Sequence, residues 1–311
     1  MLQSKYICPS CFSDECKCIG RIQDNSNFAG LILPEALKGG YLVSCNKCSI
    51  KFRYPLLPAE TITSLYNQVS FSIWNNINEV RPDWEYITSY IKKHTDIIQV
   101  LDVGCSTGAM LNKLPANYKK FGIEINREAQ KIAISNGINI VGSETEYLNT
   151  SGPVYDCITA IDTIEHIPDP IKFLKCLQGA VRPGGYIIIS TSNAASIGWL
   201  LEKGNYYYCT NPEHVTFVTP EWCQFAANKL NLDIDCIQLI TRFSVSLVGK
   251  IANLVKHALY FVSPRIYQAF QKTFGRRKIY GVCGAPAWFL TKDHMVVVFK
   301  VSMTAINKGA L

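Results

Sequence analysis

At 311 residues, 48% hydrophobic and 18% charged, the chain is long enough for a full core with one or two small additions, and its composition excludes a disordered or low-complexity protein. The net charge of +7 is modest and gathers late in the chain (Lys250, Lys256, Arg265, Lys272, Arg276, Arg277, Lys278), which reads as a solvated basic face rather than a nucleic-acid site. The first residues lack an apolar signal core and no run of about 18 apolar residues occurs, so a cytoplasmic protein is expected, with its thirteen cysteines as thiols or metal ligands rather than disulfides.

Residues 1–57 form a small module with two CxxC pairs, Cys8 with Cys11 and Cys45 with Cys48, and a Pro-bounded exit at RYPLLP. Each pair presents two thiolates from one tight turn. Together they complete a four-thiolate set with no open position, as structural Zn2+ requires. The 33-residue spacer is longer than usual, so a strand pair or loop must fit between the pairs. Cys16 and Cys18 are possible substitutes with a poorer CxC spacing, and a set of reduced thiols without metal is the competing reading. Over residues 58–95, Ile62, Leu65, Tyr66 and Val69, then Trp84, Ile87, Tyr90 and Ile91, fall at helical spacing and predict a helical collar or lid.

From residue 96 to 311 the pattern changes. Short β-rich runs (QVLDVG, FGIEI, INIVG, DCITAID, GYIIIST) alternate with helical segments (NREAQKIAISNG, PIKFLKCLQGAVRPGG), which predicts an α/β fold whose parallel sheet carries helices on both faces. A helix (PEWCQFAANKL), a strand (IDCIQLIT), an insertion at about 242–290 and a last strand (HMVVVFKVS) follow. The stretch VLDVGCSTGAML, residues 100–111, reads as a strand, a turn with Gly104 and Gly108, then a helix. Glycine lets the backbone turn sharply and a ligand come close. Asp102 lies inside the strand. Glu124 ends the next one, twenty residues after Gly104, where an acid reaches both hydroxyls of a ribose.

The glycines alone also suit a dinucleotide site, a phosphate loop or an ordinary turn. The turn lacks the lysine of a phosphate loop, a third glycine and any basic residue to meet a pyrophosphate, so a sulfonium nucleoside fits it better. A turn cap and a surface acid remain the structural alternatives for Asp102 and Glu124.

LDVGCSTG, the strand-end Glu124, YDCITAIDTIEHIPDP (155–170), VRPGGYIIISTSN (181–193) and EHVTFVTPEW (213–222), taken in this order, resemble the class I S-adenosylmethionine-dependent methyltransferases. Within that family they resemble the branch holding ubiquinone-type O-methyltransferases and sugar-modifying enzymes. YLVSCNKCSIKFRYPLLPAETITSLY is similar to the zinc-ribbon lead-in of bacterial sugar methyltransferases. The resemblance covers residues 96–241 and the last strand. It implies a Rossmann-like class I methyltransferase sheet, mostly parallel with the last strand antiparallel, beside a small N-terminal zinc-binding module. In the cofactor site, Gly104 with its neighbours Asp102, Cys105 and Gly108 would cradle the methionine part, and Glu124, followed by Ile125, would hold the ribose. Ser143 or Glu144 would lie near the adenine, and Ile161 and Asp162 would border the sulfonium. Ser106 stands where many relatives have glycine.

The resemblance also places active-site histidines at His214, within the Glu213–His214 pair, and at His166, and a substrate-facing tyrosine at Tyr66. Methyl transfer to oxygen needs in-line alignment and a base near neutrality, which suits histidine. Helix caps and core packing are the alternatives for these side chains. Tyr206, Tyr207 and Tyr208, just before Glu213, read either as a platform for a sugar or as packing anchors.

The expected function is methylation of a small molecule, foremost a hydroxyl of a sugar, nucleotide sugar or glycan precursor. The alternatives are a ribosomal RNA methyltransferase with an N-terminal zinc finger and a non-catalytic S-adenosylmethionine-binding module. AIDT at the end of the fourth strand, in place of [ND]PP[YF], argues against DNA-adenine and glutamine methylation. The similar enzymes that C-methylate deoxysugars often carry a further C-terminal domain, which a chain of this length is not expected to contain, so O-methylation or another small-molecule acceptor is expected over C-methylation. Leu247, Ile251, Leu254, Val255 and Leu259 form a helical stripe, with lysines towards the other side, that suits either a membrane surface or packing on the domain or a second copy.

Overall fold

A computed structural model of the chain describes residues 6–66, 68, 69, 81–143, 145, 148, 152, 154–242, 246–267, 269, 285, 286, 288 and 291–303. In chain order the elements are β1 (Cys16–Arg21), β2 (Asn25–Phe28), β3 (Leu31–Leu37), β4 (Tyr41–Cys45), β5 (Lys51–Tyr54), α1 (Ala59–Tyr66), α2 (Pro82–Lys93), β6 (Gln99–Val103), β7 (Lys119–Ile123), α3 (Arg127–Ser135) and β8 (Asn139–Gly142). They continue with β9 (Tyr155–Ile161), α4 (Pro170–Ala180), β10 (Val181–Ser192), α5 (Ile197–Glu202), β11 (Thr216–Phe217), α6 (Pro220–Leu230), β12 (Leu232–Ile240), α7 (Leu247–Val262) and β13 (His294–Val301). The chain sorts into two units, each assembled from three separate segments. The first takes Met1–Ile73, Ser192–Thr219 and Thr241–Asp293; the second takes Trp74–Thr191, Pro220–Ile240 and His294–Leu311.

The second unit is built on a seven-stranded sheet in the order β12-β13-β10-β9-β6-β7-β8. Its β6–β7, β6–β9, β7–β8 and β9–β10 pairs are parallel and β12–β13 is antiparallel. This is the expected α/β sheet with an antiparallel last strand. β9 is buried along almost its whole length, the pattern of a strand covered on both faces, and its parallel pairing with β10 requires the crossover that α4 supplies. In α2, Pro82 opens the first turn, Asp83 and Glu85 sit at the positive end, and Lys92 and Lys93 at the negative end. That helix buries Ile87 and Ile91 in the core with Val100, Cys157, Ile188 and Val298.

One element differs from expectation. The glycine turn leads not into an α-helix but into a single 3-10 turn, Leu111–Lys113. Pro115 is the cause, because it disfavours helical backbone at the residue before it, and Leu114 is accordingly extended at φ −83 and ψ 141. No α-helix dipole therefore backs the turn.

The first unit holds an antiparallel sheet in the order β1-β4-β5-β11 and the β2–β3 hairpin. β11 comes from far downstream, yet its Thr216 and Phe217 pair with Phe52 and Lys51 of β5. Arg53 is almost fully buried and donates to the carbonyls of Gly39, Cys209, Asn211 and His214, which satisfies a guanidinium that burial would otherwise penalise. Ile22 and Leu42 share a core with Trp199, Tyr206 and Phe217, so the N-terminal cysteine module and residues 192–219 are packed as one body. α1 lays Ile62, Leu65 and Tyr66 on Phe28 and Leu31 of the hairpin. No described helix is long and apolar enough to cross a membrane.

Candidate active site

In the second unit, β6 and β7 run parallel with Asp102 opposite Gly122, so Asp102 and Glu124 reach the same end of the sheet. Gly104 follows with φ +76, a conformation strained for any side chain, and its N–H donates to the Ile123 carbonyl at 2.8 Å. Glu124 Oε2 accepts from the Ser106 N–H (2.8 Å) and Oε1 from the Asn126 N–H (2.7 Å). The carboxylate thus ties the glycine turn to the cap of α3. Each oxygen retains lone-pair capacity for a further donor such as a ribose hydroxyl. Ser106 adopts φ +50, so the turn keeps at this position a geometry that glycine would reach without strain. A Cβ on Gly108 would lie 2.4 Å from Ile138, and one on Gly122 would lie 2.4 Å from Cys105; these glycines make room for the chain's own side chains. Ile125 is half exposed, Ser143 is exposed just after β8, and Glu144 lies outside the described residues.

Asp102 is 3% exposed and accepts from Thr159 Oγ1 at 2.6 Å. Burial pushes its carboxyl up to about 7; the Thr159 hydrogen bond opposes this and the Glu124 charge adds to it. Because the folded pKa lies above the ordinary carboxylate value, the folded chain holds a proton that the unfolded chain has lost between about pH 4 and 7, and stability falls as pH rises through that window. Asp102→Asn, whose amide oxygen can still accept from Thr159, is expected to exceed the parent in stability at pH 8 by on the order of 2–4 kcal/mol and to lose that advantage near pH 4. Thermal midpoints measured across pH 4–8 check this, and parallel curves for the two proteins would contradict it.

Asp162, directly after β9, is a non-glycine residue at φ +50, and a cluster that the sequence did not single out holds it there. Arg81 Nη2 lies 2.8 Å from Asp162 Oδ2, and the same guanidinium pairs with Asp83 at 2.5 Å and 3.0 Å. Ser190 donates to Asp83 (2.9 Å) and lies 3.1 Å from His294 Nε2, which is 3.7 Å from Asp162 Oδ1. The one available signal was the RPD run at the start of α2, since Pro82 makes a helix start there and places Arg81 at its mouth. Ile161 packs partly against the core. His166 ends a 3-10 turn, Ile164–His166, and its N–H donates to the Thr163 carbonyl.

The first unit carries the four cysteines. Their sulfurs lie within 4.8 Å of one another, with Cys8–Cys48 and Cys11–Cys45 both at 3.6 Å. Four sulfurs held at about 2.3 Å from one tetrahedral ion lie about 3.8 Å apart, so the set fits Zn2+. The two knuckles repeat each other. Phe12 N–H donates to Cys8 O and Ser49 N–H to Cys45 O, and both residues have positive φ, +59 and +63. Cys16 turns instead to the Ser13 carbonyl and Cys18 to that of Gly20.

Also in the first unit, His214 is buried, its Nδ1 is 2.8 Å from the Tyr208 carbonyl, and its ring centroid is 4.2 Å from that of Tyr208. Glu213 is buried as well. Tyr66 meets Phe28 edge-on at 5.1 Å. Tyr206 and Tyr208 are buried, and the hydroxyls of Tyr206 and Tyr207 donate to Asp293, so this tyrosine run anchors the unit's core. The cofactor candidates thus gather in the second unit with His166, whereas Glu213, His214, Tyr66 and the cysteines belong to the first.

A mixed seven-stranded sheet with a glycine turn after β6 and an acid directly after β7 defines an α/β nucleoside-binding enzyme of methyltransferase topology. The acids at the ends of β6 and β7, and a turn free of basic residues, fit S-adenosylmethionine. A profile of the family described as a methyltransferase domain matches residues 80–237, just over half the chain. The chain belongs to this family and is an S-adenosylmethionine-dependent methyltransferase. Among proteins it is similar to, the ubiquinone biosynthesis O-methyltransferase of Nitrosospira multiformis is 26% identical over 208 residues, covering 61% of this chain and 86% of that one. The protein of the same name from Aeromonas salmonicida is 27% identical over 213 residues, covering 62% and 87%. A solved structure of a SAM-dependent methyltransferase from Archaeoglobus fulgidus aligns with TM-score 0.47 and 19% identity, over 78% of this chain and 100% of that one.

Proposed function

We propose that the acceptor is a small molecule methylated on a hydroxyl oxygen, of a sugar, nucleotide sugar or glycan precursor, and that Cys8, Cys11, Cys45 and Cys48 hold a structural Zn2+. When bound, S-adenosylmethionine supplies a methyl group already electrophilic on a positive sulfur, which leaves binding, alignment and proton removal to the chain. In this reading Glu124 accepts from the ribose hydroxyls, and the turn of Asp102, Gly104, Cys105 and Gly108 takes the methionine part. Ile125 follows Glu124 at the ribose, Ser143 or Glu144 lies towards the adenine, and Ile161 and Asp162 border the sulfonium.

The observation that carries the oxygen acceptor is the environment of His214. An Nδ1–H donated to the Tyr208 carbonyl makes Nε2 the basic nitrogen, suited to removing a hydroxyl proton, and Glu213 beside it in the chain is assigned to the same site. His166 and Tyr66 are assigned to orienting the acceptor. The relatives named for O-methylation support an oxygen acceptor.

The test is labelled-methyl transfer to nucleotide sugars, lipid-linked glycans, a ubiquinone precursor and ribosomal RNA. Label is expected in a sugar acceptor, with His214→Ala lowering turnover about 100-fold or more and leaving cofactor affinity unchanged. Label confined to RNA would overturn the acceptor class, and full turnover in His214→Ala would overturn the base.

A further inference from the structure

Helix α7 faces the wrong way for a helix of a water-soluble body. It turns Asn253, His257 and Tyr260 inward, whereas Leu247, Val248, Ile251, Leu254, Val255 and Val262 are all more than half exposed. The exposed residues recur at i, i+3 and i+4, so they form one continuous apolar face. The inward side is pinned. The His257 ring stacks on Trp288 with centroids 3.8 Å apart, and His257 Nδ1 lies 3.1 Å from Glu202 Oε1, to which Trp288 Nε1 also donates at 2.8 Å. Tyr260 meets Tyr267 edge-on. A helix held by its polar side keeps its apolar side turned outward, and an exposed patch of this size marks a docking surface.

The charge of the segment that carries the patch identifies the occupant. From Cys236 to Lys292 the chain carries nine of its 31 Lys and Arg residues and none of its 24 Asp and Glu residues, so the rest of the chain taken alone is slightly acidic. Lys250 is exposed on α7 itself, Lys256 lies partly exposed on the same helix, and Arg265 is exposed just past its end. An apolar face bordered by Lys250, Lys256 and Arg265, on a helix that carries no acid, complements a surface that is apolar inside and anionic at its rim. The length agrees: sixteen residues span about 24 Å, enough to lie in a bilayer interface and too short to cross it.

We propose that α7 docks the enzyme in the plane of an anionic lipid bilayer, its apolar face among the acyl chains and its lysines at the headgroups. The experiment is sedimentation of the full chain with large phosphatidylcholine vesicles, with and without phosphatidylglycerol. Binding is expected only with the anionic lipid and should weaken as salt rises. Val255→Asp combined with Val262→Asp is expected to lower the partition coefficient about tenfold or more. Lys250→Glu should lower it about fivefold or more. All these side chains are exposed, so the thermal midpoint and S-adenosylmethionine affinity should not change. Absence of binding to anionic vesicles at low salt, or equal binding by parent and variants, overturns the proposal. So does a dimer in analytical ultracentrifugation that Val255→Asp converts to monomer, because a second copy would then cover the face.

Discussion

Cys45→Ser is expected to abolish stable folding of the unit that carries the cysteines, and chelation of the parent protein is expected to do the same reversibly. Cys45 ends β4 and begins the second knuckle, so an ion held by Cys8, Cys11, Cys45 and Cys48 would cross-link the N-terminal segment to the central strand of the β1-β4-β5-β11 sheet. Structural Zn2+ contributes on the order of 10 kcal/mol to small domains, as much as the whole stability of a typical domain. The controls are Cys16→Ser and Cys18→Ser, whose thiols bond to backbone carbonyls and whose loss should cost about 1 kcal/mol or less. Metal content per chain together with protease protection of residues 6–57 reads the result. A chain that contains no zinc, and whose Cys45→Ser variant melts with the parent, would remove the metal from the account.

Glu124→Ala is expected to raise the dissociation constant for S-adenosylmethionine about 100-fold or more. Two hydrogen bonds from ribose hydroxyls to a charged acceptor contribute about 1.5–3 kcal/mol each, and their loss sets that scale. The substitution also strips the Ser106 and Asn126 N–H groups of their acceptor, so the glycine turn loosens as well. Glu124→Gln separates the two effects: one amide oxygen still serves one of these N–H groups, and an intermediate loss is expected. Calorimetric titration with S-adenosylmethionine and with its demethylated product measures both variants. Affinity equal to the parent in Glu124→Ala would place the ribose elsewhere.

Much of this protein is written in local pattern. The strands of the second unit, α3, α4 and α6 follow from apolar periodicity and from caps such as Asn126 and Asp169. The CxxC spacing shows the knuckles, and the interval from Gly104 to Glu124 shows the turn and its acid, because a strand, a turn and a knuckle each need only a few neighbouring residues to take shape. The loss of the helix after the glycine turn was also legible in principle, at Pro115.

Other features depended on partners far apart in the chain. Nothing in the spacing of Arg81, Ser190 and His294 announces that they converge on Asp162, or that β11 completes a sheet begun by β1. The stripe on α7 is visible as a period, but its direction is not, since periodicity says that one face is apolar and not what that face meets. Local backbone preference and hydrophobic spacing therefore determined the elements and their order. Packing between distant segments decided which side chains share a site and which face was left to the solvent, because a contact's partner is chosen by complementary shape and charge that no short window of sequence contains.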